Sequence, residues 1–203
     1  ATPVASVGLD VNELYEKLND IVVLYRTNTQ SRVIEDQLRR ESIPYHIVGG
    51  IKFYDRKEIK DILAYLKYIL NPSDTIAFNR IINFPPRGLG KTTIDKIFRY
   101  INEHQITLLD GLAKIDEIQI GDKQKKQLKR FNALIKNLQE YNNKPAFDTV
   151  EALIDDINLK EHYKNKDNPE DLERLENIDE LLLSISDFCD RNEENSLSSF
   201  IEE

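Results

Sequence analysis

The sequence predicts an α+β fold that is mostly α, with a small N-terminal α/β portion followed by a helical domain. Two short runs rich in β-branched residues lie within the first fifty residues. From residue 55 onward, apolar residues recur every three or four positions, which is the spacing of amphipathic helices. Hydrophobic residues make up 40% and charged residues 32% of the 203 residues, with only seven Gly and seven Pro. This composition is typical of a helix-rich globular protein.

The N-terminal portion has the order strand, helix, strand. Residues 21–25 and 43–48 are each typical of a buried strand, and the second ends at a pair of glycines. Between them, residues 31–40 predict a helix. Its apolar side chains lie on one side, namely Val33, Ile34 and Leu38. This order and spacing suggest a βαβ unit in a parallel sheet. Two strands do not make a stable sheet, so its other strands are expected outside this chain.

The helical domain is marked by caps and apolar stripes. Asp55 and Glu58 suggest a capping box at the start of the first helix, which Asn71 and Pro72 end. Asp74 is predicted to cap a second helix. The later helices are predicted to follow the breaker at 85–90, then near 107–115, at 122–141, at 147–158 and from Pro169 onward. A last capped helix from Ser196 and the absence of methionine predict an excised piece of a longer protein.

The net charge of −8 is unevenly distributed. From Asp167 onward, 13 acidic residues face only two arginines, a balance of −11 that leaves +3 for residues 1–166. Any DNA contact is therefore expected in the first part of the chain. Cys189 is the only cysteine, so we expect a packing thiol in a reducing cytoplasm. No apolar run approaches the length of a membrane span, so no membrane partner is expected.

The segment 86–93 carries the most informative motif. Its Gly-Lys-Thr at 90–92 invites a phosphate-loop interpretation, but that motif needs a glycine at position 85, which is proline. The segment 75–83 before it also predicts a helix, whereas a phosphate loop follows a strand. A helix-hairpin-helix fits better, because glycines at 88 and 90 allow a tight turn and a close backbone approach to a DNA phosphate.

In this interpretation both the hairpin and the helix after it contribute to binding the DNA phosphate. Leu89 anchors the turn in the core, and the N–H groups at the start of the next helix face the phosphate. The side chains expected to add donors or charge are Arg87, Lys91, Thr92 and Thr93, beside the glycines Gly88 and Gly90. Such contacts position a protein on duplex DNA without reading bases. An ordinary glycine turn is the alternative.

Two further groups are candidates. Arg26 and Asn28 follow the first predicted strand at its carboxyl end, where open α/β sheets bind ligands, and Lys52 could join them. A loop that only caps the next helix is the alternative. A basic cluster on one predicted helix is interpreted as a solvated face; it comprises Lys123, Lys125, Lys126, Lys129 and Arg130. No histidine has a carboxylate or cysteine at metal-ligand spacing, and no nucleophile-and-base set is visible, so no metal or catalytic residue is assigned.

Five segments, in order, resemble the UvrD/PcrA/Rep family of superfamily 1 DNA helicases. They are residues 21–32, 43–50, 53–61, 86–90 and 174–180. The family consists of ATP-dependent 3′-to-5′ DNA translocases with two RecA-like motor domains, 1A and 2A, that carry insertions 1B and 2B. The resemblance implies that residues 1–52 are a partial RecA-like portion of domain 2A. It implies that residues 53–203 are a truncated insertion domain 2B.

The resemblance also implies roles for residues. Arg26, Asn28 and Lys52 match positions on the single-strand track, and Lys60 and the hairpin through Thr93 match positions that meet duplex DNA. The implied partners are DNA at a single-strand/duplex junction, the other motor domain, and possible repair or replication loading proteins, in the cytoplasm at the nucleoid.

The family's nucleotide motifs have no counterpart in this chain. We therefore expect no cofactor here, and ATP with Mg only in the full-length parent, which would be the enzyme. Two alternatives stay open. One is a free-standing DNA-binding or adaptor protein derived from the helicase insertion, and the other is a nucleotide-binding enzyme that uses residues 90–92.

Overall fold

The computed structural model describes residues 18, 20–26, 28–141, 143–164 and 168–202. Within these ranges the chain forms ten α-helices, which are α1 (Asn28–Arg40), α2 (Lys57–Leu70), α3 (Thr75–Ile81), α4 (Lys91–His104), α5 (Leu108–Ala113), α6 (Asp122–Gln139), α7 (Ala146–Asp156), α8 (Leu159–His162), α9 (Pro169–Arg191) and α10 (Leu197–Glu202). Single 3-10 turns occur at Phe53–Asp55 and Ile115–Glu117. Among the helices described, none is long and apolar enough to cross a membrane. The prediction of a mostly helical chain is confirmed.

Helix α2 is the centre of the hydrophobic core. Its apolar residues recur at helical spacing and are fully buried at Ile59, Ile62, Leu66 and Ile69, as the sequence predicted. Around it pack α3, α6, α7, α9 and α10. Because one helix contacts so many others, the loops at its two ends are held in fixed positions relative to the whole core.

An aromatic cluster joins α2, α3 and α6. The ring of Phe78 lies 5.6 Å from that of Tyr68 and 6.0 Å from that of Phe131, measured between centroids. Each such pair contributes about 0.5–1.5 kcal/mol beyond the area it buries. Arg87 in the loop that follows α3 lies 5.4 Å from the Phe131 ring centroid, so the cluster contacts the hairpin.

The caps of α2 and α3 differ from each other. Asp74 caps α3 as predicted, because its Oδ1 accepts hydrogen bonds from the backbone N–H groups of Ile76 and Ala77, each at 2.9 Å. The predicted Asp55 cap of α2 is wrong. Asp55 closes the preceding 3-10 turn and α2 starts two residues later, without a side-chain cap. Glu58 forms no capping box either, and its carboxylate instead accepts a hydrogen bond from the side chain of Asn177.

The predicted strands of the N-terminal portion are not formed. Residues 21–25 and 43–48 are extended or irregular chain, and no sheet is present in the part of the chain that the structure describes. The predicted helix between them is confirmed as α1. A strand requires a hydrogen-bonded neighbouring strand; among the residues described the first run pairs with none, and Val22 is 79% and Leu24 90% exposed. The α/β portion is thus represented only by its helix.

Helix α1 packs on the helical body through polar side chains. Ser31, Arg32, Glu35 and Asp36 are buried, whereas Val33 is 57% exposed. The expected apolar side of this helix is therefore not the side that packs in this chain. Glu35 instead accepts hydrogen bonds from the Phe53 backbone N–H at 3.1 and 3.3 Å.

Candidate nucleic-acid interface

The loop between α3 and α4 forms a closed hairpin. Gly88 has φ +71°, a left-handed conformation that glycine adopts without strain. Leu89, only 1% exposed, lies in the core and anchors the turn as expected. The backbone N–H groups of Arg87 and Leu89 both donate to Oδ1 of Asn83, at 2.9 and 3.0 Å. Asn83 was not singled out from the sequence, although an amide side chain just after a helix end is a common turn-forming signal.

The Arg87 side chain points into the hairpin rather than out of it. Its Nη1 donates to the carbonyl oxygens of Ile81 at 3.0 Å and Phe84 at 2.6 Å, and its Nη2 donates to the Tyr65 hydroxyl at 2.6 Å. The guanidinium also lies 5.4 Å from the ring centroid of Phe131. With its donors engaged in this way, Arg87 organises the loop, and the geometry does not favour the predicted direct contact with DNA.

Tyr65 completes the arrangement from α2. Its hydroxyl donates to the carbonyl of Phe84 while accepting from Arg87. Burial raises the pKa of the Tyr65 phenol, and the neighbouring guanidinium opposes this rise. The phenol is therefore neutral at physiological pH and keeps its proton for the carbonyl.

The start of α4 presents unpaired backbone donors. The N–H groups of Thr93 and Ile94 both donate to the Gly90 carbonyl, at 2.9 and 3.2 Å. Those of Lys91 and Thr92 meet no acceptor among the residues described. Both residues are exposed, and Thr93 is half-buried. Free N–H groups at the positive end of a 14-residue helix form an anion-binding arrangement.

Gly90 leaves this helix end open. Its φ of −76° and ψ of 173° suit any residue, so its conformation does not require glycine. A Cβ built there would meet no heavy atom within 4 Å. The space in front of the free donors is consequently accessible to a ligand, and a side chain at position 90 would occupy it without disturbing the core.

Lys60 lies in the first turn of α2. Its Nζ is 2.7 Å from Oδ1 of Asp55, and both side chains are about half exposed. The hydrogen bond and charge of Lys60 hold the pKa of the Asp55 carboxyl below its usual range. One helical turn earlier, Lys57 has its Nζ 4.6 Å from the Phe84 ring centroid. The N-terminal end of α2 thus lies next to the hairpin.

The three residues assigned to the single strand lie at different points of the N-terminal portion. Arg26 is exposed, and its backbone N–H donates to Oε1 of Gln30 at 2.9 Å. Asn28 is the first residue of α1. The Nζ of Lys52 lies 4.4 Å from the ring centroid of Tyr45. No hydrogen bond or ring contact described for the chain joins Arg26 to Lys52.

Comparison with known proteins identifies the family. The model of the UvrD-like helicase C-terminal domain matches residues 4–203. The chain belongs to this family. It is 41% identical over 186 residues to the ATP-dependent DNA helicase PcrA of Bacillus subtilis (strain 168), covering 91% of this chain and 25% of that protein. The PcrA helicases of Staphylococcus epidermidis and Staphylococcus aureus are each 38% identical over 192 residues, covering 92% of this chain and 26% of theirs.

The chain therefore spans about a quarter of the length of these PcrA helicases. The resemblance to the UvrD/PcrA/Rep family that the five sequence segments indicated is confirmed. Of these segments, 86–90 forms the hairpin. The left-handed backbone at Gly88 and the burial of Leu89 give structural reasons for these two residues of the motif.

In this UvrD-like domain, segment 174–180 has a structural role that sequence reasoning did not anticipate. The Asn177 side chain accepts a hydrogen bond from Nη1 of the buried Arg56 and donates to Glu58 at 2.6 Å. Glu180 accepts from Nε of Arg32 at 2.9 Å. Helix α9 is thus joined by buried polar contacts to both α1 and the start of α2. A polar residue inside an apolar stripe is the signal that could have identified Asn177.

Proposed function

We propose that the chain is the DNA-contacting part of an ATP-dependent DNA helicase of the PcrA type, with duplex DNA held at the start of α4. The observation that carries the proposal is the open helix end after Gly90. There, the backbone N–H groups of Lys91 and Thr92 meet no acceptor among the residues described, and a Cβ at Gly90 would meet no heavy atom within 4 Å. A DNA phosphate is the anion that fits both the proposed function and this geometry.

The proposed division of the chain follows the helicase plan. Residues 1–52 are a partial motor domain of the 2A type, and residues 53–203 are most of an inserted 2B domain. The exposed apolar run at 21–25 and the exposed Val33 support this division, because both are apolar surfaces that a motor-domain sheet would cover. The other motor domain is then a partner in the full protein, alongside DNA. The proposed location is the cytoplasm, at the nucleoid.

The ATPase activity belongs to the full-length helicase in this proposal. No Walker motif is present in the sequence, and the only Gly-Lys-Thr, at 90–92, follows helix α3 rather than a strand. The chain alone is therefore proposed not to hydrolyse ATP, while the full protein uses ATP with Mg. DNA-stimulated turnover by the purified chain, at a helicase-like rate and surviving repurification, would contradict this.

The test of duplex binding is a fluorescence anisotropy titration of a labelled duplex with the chain. We expect weak binding that is indifferent to sequence and strongly dependent on salt. Single-stranded DNA should bind less well, because in the proposed plan much of the single-strand track belongs to other domains of the full helicase. Circular dichroism at each salt concentration checks that salt does not unfold the protein itself.

Gly90→Val is the decisive variant. The valine fits the backbone and fills the space in front of the free N–H groups, so duplex affinity should fall at least several-fold without a change in fold. Thermal unfolding is the control, because the variant must melt like the parent chain before the two duplex affinities are compared. If folded Gly90→Val binds duplex like the parent chain, the hairpin is only a turn and the proposed contact is wrong.

A further inference from the structure

A basic surface on helix α6 is separate from the hairpin. Lys123, Lys126 and Arg130 are spaced at i, i+3 and i+7, so they lie on one face, which we call the basic face. All three are exposed, and none has an acidic partner in the part of the chain described. The opposite side of α6 is buried in the core through Leu128 and Phe131. The three charges are therefore held on a rigid helix.

The neighbouring lysines of α6 are used differently. Lys125 donates to the backbone carbonyl of Asp116 at 2.8 Å, and Lys129 contacts both carboxylate oxygens of Asp116 at 2.7 Å. These two lysines fix the 3-10 turn against α6 and neutralise the acidic residue that stands closest to them. What remains toward solvent is mostly positive charge, because Asp122 on the first turn is the only acidic residue of the helix, in a chain whose net charge is −8.

The same loop connects the basic face to the hairpin helix. Lys96 of α4 donates to the carbonyl oxygen of Gln119, two residues before the N-cap of α6, at 2.9 Å. Lys96 follows Lys91 by five residues, or roughly 7.5 Å along the helix axis. Helix α4 therefore contacts the loop that leads into α6, so the proposed phosphate site and the basic face lie on two elements joined by this contact.

We infer that the basic face is a second binding surface for the phosphate backbone of duplex DNA, acting together with the start of α4. The inference rests on the proposed function and extends its footprint. From Lys123 to Arg130 the face spans roughly 10.5 Å, and duplex DNA presents about one charge per 1.7 Å of its axis. Three cations at this spacing match a phosphate row without any base contact.

The chemistry of the face disfavours other partners. Helices that bind membrane surfaces expose large apolar side chains beside their lysines, whereas the apolar residues of α6 face the core. Protein interfaces depend on aromatic or other anchors that become buried, and the basic face offers only flexible charged side chains. An acidic protein segment is nevertheless the competitor that the experiment has to separate from DNA.

The experiment compares salt dependence between variants of the full chain. The basic-face variant carries Lys123→Gln, Lys126→Gln and Arg130→Gln, which keep good helix formers at exposed positions. The control variant carries Lys160→Gln, Lys164→Gln and Arg191→Gln, which remove the same charge at other exposed sites. Binding of a labelled duplex is measured from about 50 mM to about 200 mM salt.

The expected result is a change of slope in the basic-face variant alone. Three neutralised phosphates contribute about 2.7 to the slope of log affinity against log salt, so the parent should lose about 40-fold more affinity than the variant over this fourfold range. The control variant should keep the parent slope. An unchanged slope in the basic-face variant, or an equal change in the control, overturns the inference.

Two further measurements separate this inference from the hairpin proposal and from binding of an acidic protein. If Gly90→Val weakens duplex binding and the basic-face variant does not, the hairpin proposal stands and this inference is wrong; the reverse outcome retains the basic face and removes the hairpin. Polyglutamate, added as a competitor at the same charge concentration as unlabelled duplex, should displace labelled DNA less well than duplex does. Equal or better displacement by polyglutamate assigns the face to an acidic protein and overturns the assignment to DNA.

Discussion

Arg87 is the residue whose replacement best tests how the hairpin is built. Arg87→Met removes the hydrogen bonds to the Ile81 and Phe84 carbonyls and to Tyr65 while keeping an unbranched, apolar side chain. A hydrogen bond from a charged group contributes about 1.5–3 kcal/mol. Part of that is recovered, because the Phe84 carbonyl keeps its bond from Tyr65. We expect a net loss of about 2–3 kcal/mol in the free energy of unfolding.

The assay is thermal unfolding followed by circular dichroism, combined with duplex titration. For a domain of this size, the expected loss corresponds to a fall in Tm of about 4–12 °C. Arg87→Lys separates the two roles of the residue. Lysine keeps the charge, so a direct DNA contact would be preserved, but it lacks the forked donors that bridge the loop. The structure predicts that both variants are destabilised.

The control for this series is Arg99→Met on the exposed side of α4, where we expect a change within about 0.5 kcal/mol. The argument is refuted if Arg87→Met melts like the parent chain but no longer binds duplex. In that case the arginine reaches DNA, and the inward geometry described for it is not the functional one.

Three other predictions follow from the structure. Gly88→Ala should cost about 1–2 kcal/mol of stability because of the left-handed backbone, whereas Gly90→Ala should cost less, about 0.5 kcal/mol, because only the N-cap preference is lost, as urea unfolding would show. Asn177→Leu should destabilise the chain by about 3 kcal/mol, since a buried arginine and a buried glutamate both lose a partner; equal stability of the variant would contradict this. Lys60→Gln should raise the pKa of Asp55 toward its ordinary value in a carboxyl NMR titration. Because the folded pKa of Asp55 is depressed, its stabilising contribution is present above the unfolded value of 3.8 and is lost as pH falls through the folded pKa. An unshifted Asp55 titration in the variant would show that Lys60 is not the cause.

The helical domain was predictable because its signals are local. The stripe of α2, the Asp74 cap and the stop at Asn71 each depend on neighbouring residues, and the structure has them where the sequence placed them. The Asp55 cap failed because a 3-10 turn ahead of α2 competes for the same residues. That turn is fixed by Phe53, which is fully buried and whose N–H is bound by Glu35, eighteen positions earlier. Contacts of this range leave no periodic pattern in the sequence.

The strands failed for a different reason. Residues 21–25 have the composition of a buried strand, but composition states only what a segment can bury and not whether its neighbours are present. Within the described chain the run pairs with no neighbouring strand, and it remains exposed. The polar packing of α1 could not be predicted from the sequence either. The apolar residues Val33 and Leu38 suggested that the helix packs through its other side. In each case the missing information concerns a surface supplied by other segments.

The two glycines of the hairpin show which properties of the candidate site the motif could predict. The spacing of Gly88, Leu89 and Gly90 predicted a turn with a buried anchor, and both glycines were given the same conformational reason. The structure separates them, because only Gly88 has a positive φ, whereas Gly90 has ordinary backbone angles and faces open space. Because the fold does not require glycine at position 90, the proposed approach of a DNA phosphate to the free N–H groups is the better explanation for it. That distinction makes Gly90→Val a test of ligand contact and Gly88→Ala a test of folding, and it could not be drawn from the sequence.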